Sequence, residues 1–83
     1  MALYFFHFCN GGDTLLDPEG RQVDSTALIA GMALKDARGI ISQEALAGHI
    51  HLEPSIQVRD EAGALIHELP FCDAVAVTST EPV

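Results

Sequence analysis

The chain has 83 residues, 48% of them hydrophobic, and a formal net charge of −8. This length suits one domain, and the apolar content excludes a disordered chain. Only four Lys and Arg residues stand against twelve Asp and Glu residues, which excludes the basic surface that nucleic acids and anionic membranes require. We therefore expect no nucleic-acid and no membrane partner. The acidity favours solubility, or a partner with a basic patch.

The first predicted element is an aromatic strand over residues 3–9. Residues 10–13, with two glycines, predict a turn, and residues 14–17 predict a short return strand that completes a hairpin. A second turn is expected at residues 18–20 because Pro and Gly stand there.

A helix is predicted to begin at Asp24 or Ser25, since either side chain can accept from free N–H groups at a helix start. Gly39 indicates a bend or break, and Gly48 is typical of the residue that ends a helix. Apolar residues with a spacing of three and four predict one buried helix face, formed by Ala27, Ala30, Leu34, Ala37 and Ile41.

Two more strands are predicted at residues 55–59 and 64–69, joined by a turn that places Gly63 in the left-handed region. Their register stays open, because a slip of one residue exchanges the two faces. Pro70 ends the last strand or marks an edge. We therefore predict a single α+β domain over residues 1–77 and a flexible tail over 78–83. Its small, mostly antiparallel sheet has three or four strands in the order β(β)αββ, with one main helix on one face.

The first strand is apolar on both faces, and one helix can cover only one of them. Self-association through the sheet would cover the other, so we expect a homodimer, with an unidentified protein partner as a further prospect. The alternative is that the segment around Thr14 or the residues after Phe71 fold over that face. The predicted interface consists of Tyr4, Phe5, Phe6, His7 and Phe8.

Cysteine and histidine are the residues best suited to chemistry in this chain. Cys9 and Cys72 are too few for a disulfide framework, and no leader or apolar run of about 20 residues is evident. These features predict a cytoplasmic protein with reduced thiols, with a single Cys9–Cys72 bridge as the alternative. The spacing matches no usual metal motif, and no nucleophile stands beside a base.

We therefore expect no cofactor and no catalytic residue. The first hypothesis for function is a non-enzymatic interaction or regulatory module that self-associates through its sheet. The second is a small metal-binding or thiol-dependent protein that uses His7, Cys9, His67 and Cys72. An enzyme with its site at a subunit interface is a third.

Several short motifs follow one another along the chain: an opening Tyr-Phe-Phe-His strand, an Asp-Pro-Glu-Gly turn and an Ala-rich helix. They are followed by Val58, Asp60, Glu61 and Gly63, and then by Leu-Pro-Phe at residues 69–71. As a set they resemble a family of short bacterial domains of unknown function, over residues 3 to about 73. The resemblance implies a small standalone domain and brings no known activity. Cys9, Asn10 and Gly39 depart from the family pattern, so no family-wide role is expected for the thiol.

Overall fold

The computed structural model describes residues 2–78. Residues 79–83, most of the predicted tail, lie outside the described residues. The described residues form five strands and two helices, and a short 3-10 turn at Thr26–Leu28 precedes the long helix. The elements are β1 (Ala2–Asn10), β2 (Asp13–Leu15), β3 (Arg21–Val23), α1 (Ile29–Leu46), β4 (Ser55–Asp60), β5 (Leu65–Pro70) and α2 (Phe71–Ala74).

The strands form one antiparallel sheet in the order β2-β1-β4-β5. The short strand β3 also pairs with β1, so β2 and β3 share one edge of it: β2 lies against residues 8–10 and β3 against residues 2–4. The predicted α+β class and its single main helix are confirmed, and β3 is the strand that the prediction missed.

One side of the sheet packs on α1, and this side holds the core. Phe6, Val58 and Ile56 are buried there, and Tyr4 and Phe8 pack against the same cluster. In α1 the buried residues are Ile29, Ala33, Ala37 and Ile41. The small side chains of the two alanines let the helix axis lie close to the strands.

The predicted helix face is wrong at its N-terminal end. Ala27 and Ala30 are exposed, Leu34 is half-buried, and Ala37 and Ile41 are buried as predicted. The error arises because Ala27 belongs to the 3-10 turn rather than to α1. The α-helix therefore begins at Ile29. Ala33, four residues later, faces the sheet in place of Ala30.

The ends of α1 follow from local sequence. The Ser25 side chain accepts a hydrogen bond of 3.2 Å from the Ala27 backbone N–H, as predicted for a helix start. The helix continues through Gly39 without a break and ends at Leu46, and Gly48 adopts a left-handed φ of 88°.

The β4–β5 hairpin has the predicted left-handed glycine, since Gly63 has a φ of 87°. Asp60 holds the turn because its Oδ1 accepts from the N–H groups of Ala62 and Ala64. A bulge beside Arg59 then shifts the register, so Val58 pairs with His67. The sequence leaves this register open, and the bulge sets it by adding one residue to β5.

The chain after β5 closes the core. Phe71 is fully buried, its N–H donates to the Pro54 carbonyl at 2.8 Å, and its ring meets Phe8 edge-on at 5.6 Å. The Arg38 Nε donates to the Ala74 carbonyl at 2.8 Å and ties α2 to α1. The residues after β5 therefore cover the helix side of the sheet. Neither helix among the described residues has the length and apolar character needed to cross a membrane.

Candidate functional site

The four residues of the metal or thiol hypothesis lie apart. His7 and Cys9 point away from α1, whereas His67 pairs with Val58 and shares its helix-side face. Cys72 is exposed on α2. Because the sheet separates His67 from His7 and Cys9, the set cannot meet at one point. Across residues 2–78, no group of three or more His, Cys, Asp or Glu side chains is arranged to hold a metal ion.

Both cysteines are free thiols, so the alternative of a Cys9–Cys72 bridge is wrong. The Cys9 Sγ lies 3.8 Å from the Thr14 hydroxyl, and the Cys72 Sγ lies 3.8 Å from an Asp73 carboxylate oxygen. A thiolate nucleophile needs a cationic or basic neighbour to activate it. Neither of these two contacts is with a cation.

The predicted interface residues divide between the two sides of the sheet. Tyr4, Phe6 and Phe8 pack toward α1, so these three belong to the core side rather than to an outer surface. Phe5 and His7 point the other way, half-buried, with nearly parallel rings 6.2 Å apart. Alternation along β1 explains this division, because adjacent side chains leave a strand on opposite faces.

The side of the sheet that points away from α1 is termed the open face. Register places Phe5, Arg59 and Leu65 in one row across β1, β4 and β5, and His7, Gln57 and Glu68 in the next. The open face therefore combines an aromatic strip on β1 with polar groups on β4 and β5. Its defining residues are Leu3, Phe5, His7, Cys9, Ser55, Gln57, Arg59, Leu65 and Glu68.

The polar half of the open face is held by its own hydrogen bonds. One Glu68 carboxylate oxygen accepts from the Gln57 amide at 3.0 Å and from the Ser55 hydroxyl at 3.3 Å. The Arg59 guanidinium donates to the Gln57 side-chain oxygen at 3.2 Å and to the Gly63 carbonyl at 2.9 Å. These bonds fix one cation and one anion in defined places on the surface.

The segment between β2 and β3 is fastened to β1 by Asp17. Its carboxylate accepts from the backbone N–H groups of Phe6 and Gly20, each at 3.2 Å, and its own N–H donates to the His7 Nδ1 at 3.0 Å. That last bond requires His7 to carry its proton on Nε2. The part of the β1 edge between β2 and β3 pairs with neither strand, and the hydrogen bonds of Asp17 take the place of that pairing.

Burial acts to raise the pKa of Asp17, but three backbone hydrogen bonds and the charge of Arg21 outweigh it and hold the pKa below its usual value. The same turn covers part of the open face. A Cβ built on Gly20 would lie 3.0 Å from the Phe5 ring and 3.1 Å from the Leu3 side chain, so the Gly20 backbone lies directly against them. This cover comes from the turn at residues 18–20, which follows the segment around Thr14 that was the alternative for this face.

A second apolar surface lies on the helix side, where α1 leaves the outer part of β1 uncovered. It is an open groove of about 730 Å³. Phe6, Phe8 and Ile56 contribute from the sheet, and Gly39 and Ile40 contribute from α1. We call it the helix-side groove. The prediction from sequence missed it, because it depends on where the helix lies across the sheet.

Charged groups line the rim of the helix-side groove. Arg21 and Asp36 form an ion pair, and the Arg21 guanidinium lies 4.2 Å from the centre of the Phe6 ring. Glu44 accepts from the backbone N–H of His51 and pairs with its ring at 3.1 Å. The backbone hydrogen bond from His51 is the main cause that lowers the pKa of Glu44, so this rim carboxylate stays ionised at neutral pH.

Comparison with known families identifies the family of this chain. The family profile described as Domain of unknown function (DUF6894) matches residues 3–72. The chain therefore belongs to this family, which agrees with the resemblance drawn from its motifs. No curated protein and no solved structure matches the chain.

Proposed function

We propose that this domain is a non-enzymatic interaction or regulatory module that self-associates through the open face of its sheet. The observation that carries the proposal is the aromatic strip on β1. Phe5 and His7 lie half-buried on a face that α1 and α2 do not cover. Apolar sheet faces in small domains are commonly covered by a second layer.

The size of the core supports a second copy as that layer. A chain of 83 residues buries a small share of its surface compared with larger domains, and self-association is a common means of adding to such a core. The fully buried large side chains are Phe71, Ile29, Val58 and Pro54. Phe71, Ile29 and Val58 belong to the core on the helix side, and none of the four is among the residues that define the open face.

Charge also favours the open face for self-association. The chain carries a net charge of −8, so two copies repel each other over most of their surfaces. The open face carries Arg59 and Glu68 in adjacent rows, and these two charges cancel. Two open faces related by a twofold axis can bring Arg59 of one copy to Glu68 of the second copy, which makes the contact complementary to itself.

The first test is the mass in solution. Sedimentation equilibrium or light scattering over a range of micromolar concentrations should show a dimer that dissociates on dilution. Added salt should first strengthen the dimer by screening the net charge. A monomer at every concentration would contradict the proposal.

A charge-reversal series then locates the contact. Arg59→Glu and Glu68→Arg should each dissociate the dimer, because each places like charges opposite one another across the axis. The double variant should restore it. Leu46→Lys is the control, since Leu46 is an exposed side chain at the end of α1. Dissociation by the control but not by the two single variants would place the contact elsewhere and refute the role of the open face.

A further inference from the structure

The helix-side groove lies on the side of the sheet opposite the open face, so its use is independent of self-association. Its volume of about 730 Å³ is in the range of sites that bind ligands or side chains of a partner. The Phe6 and Phe8 rings and the Ile40 and Ile56 side chains give it an apolar interior. The apolar surface continues past the groove onto β2, where Leu15 pairs with Phe8 and is 73% exposed.

Among residues 2–78, no contact requires glycine at position 39, which lies on the wall of this groove. A glycine inside a helix lowers its stability by about 1 kcal/mol relative to alanine. A Cβ built on Gly39 meets no atom within 4 Å, so no neighbouring group requires the side chain to be absent. The space beside Gly39 opens into the groove, and a larger residue here would narrow it.

The two ends of the groove differ in charge. Arg21, Lys35 and Asp36 lie at the end next to Tyr4, with which Arg21 pairs. Glu44 lies about 12 Å beyond Asp36 along the helix axis, because α1 rises about 1.5 Å per residue. Asp13, which pairs with Asn10 on the helix side of β1, adds a second carboxylate beyond Phe8. The end next to Phe8 is therefore acidic.

We propose that the helix-side groove binds a basic amphipathic segment of a partner protein. Apolar side chains of that segment enter the groove over Phe6 and Phe8. Its Lys or Arg side chains meet Asp13 and Glu44 at the acidic end. The Glu44 oxygens keep their two contacts with His51 and have lone pairs left to accept a further donor. The net charge of −8 draws such a segment to the domain and speeds its association.

The test uses a fluorescein-labelled synthetic helical peptide of Leu and Lys, with Leu at every third or fourth position, and anisotropy as the readout. Gly39→Leu partly fills the groove without changing any charge. Gly31→Leu is the matched control, because Gly31 is also a helical glycine with open space around it, and it lies outside the groove. Both substitutions should raise the melting temperature, since both remove a helical glycine.

The peptide should bind the wild-type domain with a saturable curve. Gly39→Leu should weaken binding about tenfold, the equivalent of about 1.4 kcal/mol, and Gly31→Leu should leave it within about twofold. Equal affinity for the two variants would show that the peptide merely adsorbs to an acidic surface and would overturn the proposal. Tighter binding of a peptide of Leu and Glu would also overturn the proposal. So would a loss of the dimer in the Gly39→Leu variant, because the occupant of the groove would then be a second copy of the chain.

Discussion

Substitution of Asp17 by alanine should remove the contact that closes the gap between β2 and β3. The Asp17 carboxylate is the acceptor for the Phe6 N–H, and Phe6 is 7% exposed, so that donor has little access to water. A buried donor left without a partner costs about 1–3 kcal/mol. Gly20 is half-buried, so we expect its N–H to regain water more easily. We therefore expect a loss of about 2 kcal/mol in the free energy of unfolding, the middle of that range.

Chemical denaturation followed by circular dichroism would measure this loss, and for a domain of this length it should lower the Tm by roughly 10 °C. Glu19→Ala is the control, because Glu19 is exposed in the same turn and its side chain makes no hydrogen bond there. Asp17→Asn should fall between them, since its amide oxygen can still accept one bond. A free energy for Asp17→Ala within about 0.5 kcal/mol of wild type would refute the reasoning.

The same substitution has a pH dependence whose sign follows from the lowered pKa of Asp17. A carboxyl with a lower pKa in the folded state stabilises the fold fully above its ordinary pKa of 3.8, and it loses that contribution as the pH falls through the folded pKa. The difference between wild type and Asp17→Ala should therefore be constant near neutral pH and shrink below about pH 4. A difference that grows in acid would show that the carboxylate destabilises the turn.

Two further predictions concern the core and the turns. Phe71→Ala should cost about 3–5 kcal/mol, because the ring is fully buried against Phe8, whereas Val77→Ala at a 78% exposed position should be nearly neutral in the same urea titration. Gly20→Ala should destabilise the domain more than Gly63→Ala. Both glycines have positive φ, at a cost to alanine of about 1–2 kcal/mol, but only at Gly20 would a Cβ meet backbone and ring atoms at 3.0 Å. Equal losses for the two glycines would show that the packing of Gly20 on β1 adds nothing.

The sequence predicts those elements whose signal is local. The β1 strand, the Ser25 cap, the stop at Gly48 and the left-handed Gly63 each follow from a few neighbouring residues, and each is present. The three-residue strand β3 was missed because it is too short to show alternation and forms only by pairing with β1.

Contacts between distant parts of the chain could not be predicted in the same way. The burial of Phe71 depends on Phe8 and Pro54, which are far from it in sequence. Asp17 stands at the end of the predicted return strand over residues 14–17, and its bond to the Phe6 N–H has no sequence signal. Alternation along β1 predicts two sets of side chains on opposite faces. The sequence does not indicate which of the two sets α1 covers. The helix-side groove depends on that same choice.

The interrupted edge formed by β2 and β3 also limits how the sheet can grow. An additional strand needs a continuous row of free N–H and C=O groups, and the residues between Leu15 and Arg21 do not supply one because their chain turns away at Pro18 and Gly20. Within the described residues, β5 is the strand at the other end of the sheet. A sheet that can add strands at only one end cannot lengthen indefinitely by edge pairing. The interrupted edge therefore disfavours growth into a fibril by strand addition, whichever surface two copies use to associate.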